Sequence, residues 1–135
     1  MFMELKYIHW EDYYRESFVP AYETARDAQK ALELTNDALV SAFLQAMEAV
    51  FYASLKCMQY YLYNNGSFPN KLRDTIKEFF KFNLLQDGDT WIQFGDIIYS
   101  RQNLKMDVVV KFCKTNCYIF SKLNEQFESM LENNG

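Results

Sequence analysis

Hydrophobic positions recur at intervals of three and four along most of this chain, the spacing that lines side chains up on one face of an α-helix. The pattern is strongest from Ala38 to Tyr63. There Val40, Leu44, Met47, Phe51, Leu55, Met58 and Leu62 form one row, and Phe43, Val50, Cys57 and Tyr61 a second beside it. Two adjacent rows make a stripe wider than a surface helix needs, so this segment is predicted to be central or to face a partner as well as a core. The "NNG" at 64 to 66 stops it, because Asn and Gly tolerate the left-handed backbone of a helix end.

The flanking segments carry the same period. "AYETARDAQKALELTN" brings strong helix formers, with Ala25, Ala28, Leu32 and Leu34 on a modest apolar side, and Asn36-Asp37 marks a corner. Upstream, "YIHWEDYYRESFV" is compatible with a helix up to Pro20, which breaks or starts one. Downstream, Asn70 is placed to cap "KLRDTIKEFFKFNLL", with Leu72, Ile76, Phe79 and Phe80 inward. "QDGD" is a turn, and Asp89 caps "TWIQFGDIIYS". A last helix runs from near Leu104 to about Glu132, with Val109, Phe112, Ile119, Leu123, Phe127 and Met130 inside. The β-branched run "DVVV" leaves a short strand there as an alternative. The prediction is one all-α domain over residues 1–135, an antiparallel up-and-down bundle of about five helices.

Composition agrees with that picture and narrows the function. The chain has 135 residues, half of them hydrophobic, with only four Gly and two Pro, which favours long helices over a turn-rich β fold. Aromatic residues reach 18%, a large apolar payload for a core or an interface. The net charge of −4 argues against broad, sequence-independent nucleic-acid binding, which needs a basic surface. The amino-terminal stretch "MFMELKYIHWEDYYRES" is charged throughout and carries no signal core, and no stretch reads as the roughly 20 apolar residues of a membrane span. With Cys57, Cys113 and Cys117 an odd set of thiols, a reducing, cytoplasmic setting with free cysteines is expected, and no membrane.

Candidate chemistry is sparse. His9 is the one imidazole, too little for a metal site or a Ser/His/Asp arrangement, and a Cys nucleophile would have no other imidazole for its base. Cys113 and Cys117 share a helical face, but a four-ligand metal site needs two more ligands and the remaining Cys and His lie on distant segments. There is no Gly-rich phosphate loop and no Glu-x-x-His pair. Neither metal nor cofactor is expected, and binding is the better class of function. The one polar cluster beside core-like residues is "YSRQNLKMDVVVKF". Arg101, Gln102 and Asn103 there could grip an anionic oxygen through guanidinium and amide donors, or simply solvate a helix junction.

The order of these features resembles the small helical substrate-binding proteins that partner minimal nucleotidyltransferases, a branch of the HEPN superfamily, over roughly residues 36 to 130. That family carries a Phe-Glu pair, a Trp-Lys pair, a Leu and a Gly along and after its central helix. Met47-Glu48, Leu55-Lys56, Leu62 and Gly66 fall into that spacing. An "IREAF" helix, "GLI", an Asp-Gly turn and a Trp follow in the family. Here "IKEFFKFNLLQDGDTW" supplies Ile76, Glu78, Phe80, Leu84, Asp87, Gly88 and Trp91. The family then has an Arg-Asn pair and, four residues later, a His, which make some members metal-independent ribonucleases. This chain departs from it. With Arg101 as the motif Arg, Gln102 replaces the Asn and Met106 the His. With the family's usual distance from the Trp, Ile98 takes the Arg place and Asn103 the His place.

Neither Met nor Asn moves a proton near neutral pH, so the resemblance implies a non-catalytic role. Such a subunit would pair with itself and with a separately encoded nucleotidyltransferase whose carboxylates hold Mg²⁺ and nucleotide, in some cases as a toxin–antitoxin-like pair. Glu48, Lys56, Arg101, Gln102 and Asn103 would form its polar groove for a nucleotide or its acceptor. Phe43, Val50, Tyr52 and Tyr61 would be its second contact surface. The alternatives are a HEPN-type ribonuclease with an altered motif, and a helical interaction protein unconnected with nucleotides.

Overall fold

A computed structural model describes residues 8–82 and 86–134; Leu84 and the first seven residues lie outside them. The elements, in chain order, are α1 (Trp10–Tyr13), a π turn (Tyr14–Phe18), α2 (Val19–Ala31), α3 (Asp37–Asn64), α4 (Leu72–Lys81), α5 (Gly88–Tyr99), a 3₁₀ turn (Arg101–Asn103), α6 (Met106–Asn116) and α7 (Tyr118–Asn134). The described residues contain no strand, and the fold is an all-α helical bundle. "DVVV" is helical because the bundle buries Val109 and Val110, and tertiary packing overrides the weak helix preference of β-branched residues.

Pro20 neither ends nor divides the first helix. Proline has no N–H to give the carbonyl four residues back, and the turn before it has widened to π geometry, in which Val19 N–H donates to Tyr14 O. The rod therefore continues from Trp10 to Ala31. It presents Trp10, Tyr14 and Phe18 to Phe127 of α7, with ring centroids at 5.4, 5.5 and 5.8 Å. Phe79 of α4 approaches the same ring at 6.0 Å. Phe127 is thus an aromatic hub joining the first rod, α4 and α7.

α3 is central, which accounts for its wide stripe. Asn36 caps it, its Oδ1 accepting Leu39 N–H at 3.1 Å. The row of Phe43, Val50 and Cys57 is buried, Tyr61 in the same row packs on Trp10 of the first rod at 5.8 Å, and Cys57 is close enough to raise the pKa of Tyr13 and Tyr14. The neighbouring row sends Phe51 onto Phe94 and Trp91 of α5, at 5.7 and 6.2 Å. Phe43 and Val50 have no exposed surface, so they are core rather than a contact surface for another molecule, correcting that expectation. Tyr61 is half-buried and packs on Trp10, Phe79 and Phe82, so it too serves the chain's own interior. By length and composition α3 is apolar enough to cross a membrane, which the sequence reading missed; half of that apolar window is buried within this bundle.

Several local expectations are corrected. α4 starts after Lys71, without a side-chain cap from Asn70; Thr75 instead binds Lys71 O through both its backbone N–H and its hydroxyl. Phe80 is 59% exposed, because Ile76 and Phe79 fill the inward face of α4 and Phe80 lies about 100° round from Phe79. α5 begins at Gly88 after Asp87, which takes a left-handed φ of 61° and pairs with Lys122 at 3.2 Å; Asp89 is in the first turn, not at the cap. Gly95 lets α5 approach α4 and α3, since a Cβ there would strike Leu72 and come within 3.2 Å of Phe51. The last helix is interrupted at Cys117. Thr115 and Asn116 turn their side chains back onto the carbonyls of Lys111 and Phe112, and Phe120 N–H reaches only three residues back.

Candidate functional site

The 3₁₀ turn forms because α5 runs out at Ser100, whose N–H still reaches Asp96 O, and Asn103 N–H closes a tight turn onto Ser100 O at 2.9 Å. Leu104 and Lys105 are extended, and α6 starts at Met106. This turn aims Arg101 across the bundle at α3. Its Nη1 donates to Glu48 Oε2 at 2.9 Å, a half-exposed ion pair between elements far apart in sequence.

A groove of about 270 Å³ lies alongside, lined by Ser41 and Leu44 of α3, by Arg101 and Gln102, and by Leu104, Met106 and Val109. It is apolar on the helix side and polar at the turn. Arg101 also acts on Cys113 beneath it. Burial, then the neighbouring Cys117, pushes the Cys113 thiol up to about 12 against the opposing pull of the guanidinium, so it remains a neutral thiol.

The structure joins some of the sequence-derived residues and separates others. Glu48 and Arg101 meet, and Gln102 lines the groove. Asn103 is exposed and its side chain makes no hydrogen bond among the described residues. Lys56 is exposed about two helical turns farther along α3, and no ion pair or hydrogen bond ties it to the groove. Tyr52 is exposed one turn from Glu48, its ring 6.3 Å from that of Tyr99. Burial, then Tyr99 and Glu48, raises its hydroxyl pKa. Sequence reasoning missed Tyr99, Ser41 and Leu104. The placement of Tyr99 two residues before Arg101, at the end of α5, was the available signal for the first of these.

The two registers of the Arg motif now differ physically. Ile98 is buried, so the register that puts it at the Arg place offers the groove no charge. The register through Arg101 puts Met106 at the His place, and Met106 lines the same groove as Arg101. His9 lies before α1 and is exposed. Among the described residues no group of three His, Cys, Asp or Glu side chains could hold a metal ion. The groove can therefore hold an anion beside an apolar wall, and it has no imidazole to move a proton. Compared with known protein families, curated proteins and solved structures, the chain matches none.

Proposed function

We propose that this chain is a non-catalytic substrate-binding subunit of HEPN type, a partner of a separately encoded minimal nucleotidyltransferase. The observation that carries this reading is the meeting of Glu48 and Arg101. Of the charged residues that the family resemblance selects, Glu48 of the central helix and Arg101 of the α5–α6 turn come together beside one groove, whereas Lys56 stays apart. Glu48 engages Arg101 through Nη1 alone, which leaves further guanidinium donors for a phosphoryl oxygen. Met106 stands where a ribonuclease of this type would need its imidazole, so binding replaces cleavage. The partner would supply Mg²⁺ and nucleotide, and this subunit would hold the nucleotide or its acceptor. A homodimer would leave the Tyr52–Tyr99 surface as a contact face. A cytoplasmic pair of this kind would act as a toxin and its antitoxin, or as a two-part transferase.

The test follows transfer of label from ATP to an acceptor by a candidate partner transferase, with this chain added as wild type or as Arg101→Ala. Transfer should require the wild-type chain and fall at least about tenfold with the variant, the cost of one charge-assisted hydrogen bond. Equal transfer in its absence contradicts the reading. Cleavage of RNA by the chain alone, abolished in Arg101→Ala, would replace it with the ribonuclease.

A further inference from the structure

A second, larger cleft of about 500 Å³ opens between the start of α3 and α6, within the roughly 300–1,000 Å³ of small-molecule sites. Val40 and Val110 form its floor, and both are buried. Leu34, from the loop between α2 and α3, and Met106 stand at its edge, 64% and 59% exposed. Large apolar side chains left open beside an apolar floor mark a place where a ligand can remove surface from water.

The charges at the rim choose the kind of ligand. Asp37 lies in the first turn of α3 and Asp107 in that of α6, where carboxylates balance the partial positive charge of a helix N-terminus. Asp107 Oδ1 is also engaged by Val108 N–H at 3.0 Å. Lys111 and Lys114, three apart on α6 and both lining the cleft, have no ion-pair partner among the described residues. A small polar anion would answer the lysines and leave the floor wet. A neutral hydrocarbon would cover the floor and leave the lysines unanswered. We infer that this cleft binds a single-chain amphiphilic anion, a medium-chain carboxylate, with its chain on Val40, Val110 and Met106 and its head at Lys111 and Lys114. This cleft shares Met106 with the Arg101 groove, but the inference does not rest on the nucleotide reading.

The experiment is calorimetric titration of the full chain with decanoate, acetate and 1-decanol, all below the micellar range, with methyl NMR shifts of Leu34 and Met106 locating the ligand. Decanoate should bind saturably at one site and shift both methyl groups, and acetate should not bind. The double substitution K111Q/K114Q and the exposed-site substitution Met106→Glu should each weaken decanoate about tenfold. Absence of saturable decanoate binding would overturn the inference. So would binding that both variants leave unchanged, or 1-decanol binding as tightly as decanoate.

Discussion

Arg101 and Glu48 stand 53 positions apart in the chain, yet the guanidinium Nη1 lies 2.9 Å from the carboxylate Oε2. The contact ties the turn between α5 and α6 to the middle of the central helix. Because both side chains are partly open to water, its weight is in positioning rather than in stability. A double-mutant cycle with Arg101→Ala and Glu48→Ala in urea unfolding should give a coupling of about 0.2–1 kcal/mol. A coupling above ~2 kcal/mol would mean that the pair is shielded and is a main support of the fold.

Phe127 is the opposite case. It has no exposed surface and touches Trp10, Tyr14, Phe18 and Phe79, so its removal empties the junction of three elements. Phe127→Ala should destabilise the protein by about 3–5 kcal/mol, read from the shift in urea midpoint. A loss below ~1 kcal/mol would contradict the hub.

Alkali should destabilise the fold. Burial, then Tyr60 and Cys57, pushes Tyr13 up to about 12, and burial, then Glu128, Cys57 and Tyr22, pushes Tyr14 to about 12 despite Arg15. Burial also raises Cys57, and burial and Cys117 raise Cys113 to about 12. In each case the folded state keeps a proton that the unfolded chain releases, from an ordinary 9.0 for the thiols and 10.0 for the tyrosines. The native state thus binds more protons over that window, and stability falls as pH rises through it. The urea midpoint should hold below about pH 9 and then decline, more steeply above about 10. A midpoint flat to about pH 11 would contradict the burial of these groups.

The three thiols should differ in reactivity. Cys57 and Cys113 are buried and Cys117 is half-buried. Reaction with an aromatic disulfide near neutral pH should modify Cys117 first and slowly, and the other two only under unfolding conditions, because thiolate fraction and access both limit the rate. Fast modification of all three in the native protein would contradict the packing around α3 and α6.

How much of this was legible in the sequence depends on range. The period of three and four marks the helices, and the double row on α3 points to a helix that is central or also faces a partner. It could not say whether the second face met another molecule or the chain's own first rod, because that contact is made by Tyr13 and Tyr14 more than 40 residues away. Pro20 was ambiguous because a π turn, which the sequence does not announce, absorbs its missing N–H. The caps at Asn70 and Asp89 failed because Lys71 and Asp87 took those places. At the groove, Arg101 and Glu48 were chosen as polar residues in a motif order. Leu104 carries no local signal, because an exposed apolar residue shows its place only once the fold gathers the groove around it.

The proposed role is a self-pairing subunit that docks a nucleotidyltransferase. Light scattering of the purified chain, alone and mixed with a candidate partner transferase, decides it. A mass of about twice 16.1 kDa alone and a larger, stable complex on mixing are expected. A monomer whose mass does not change with the transferase present would contradict it.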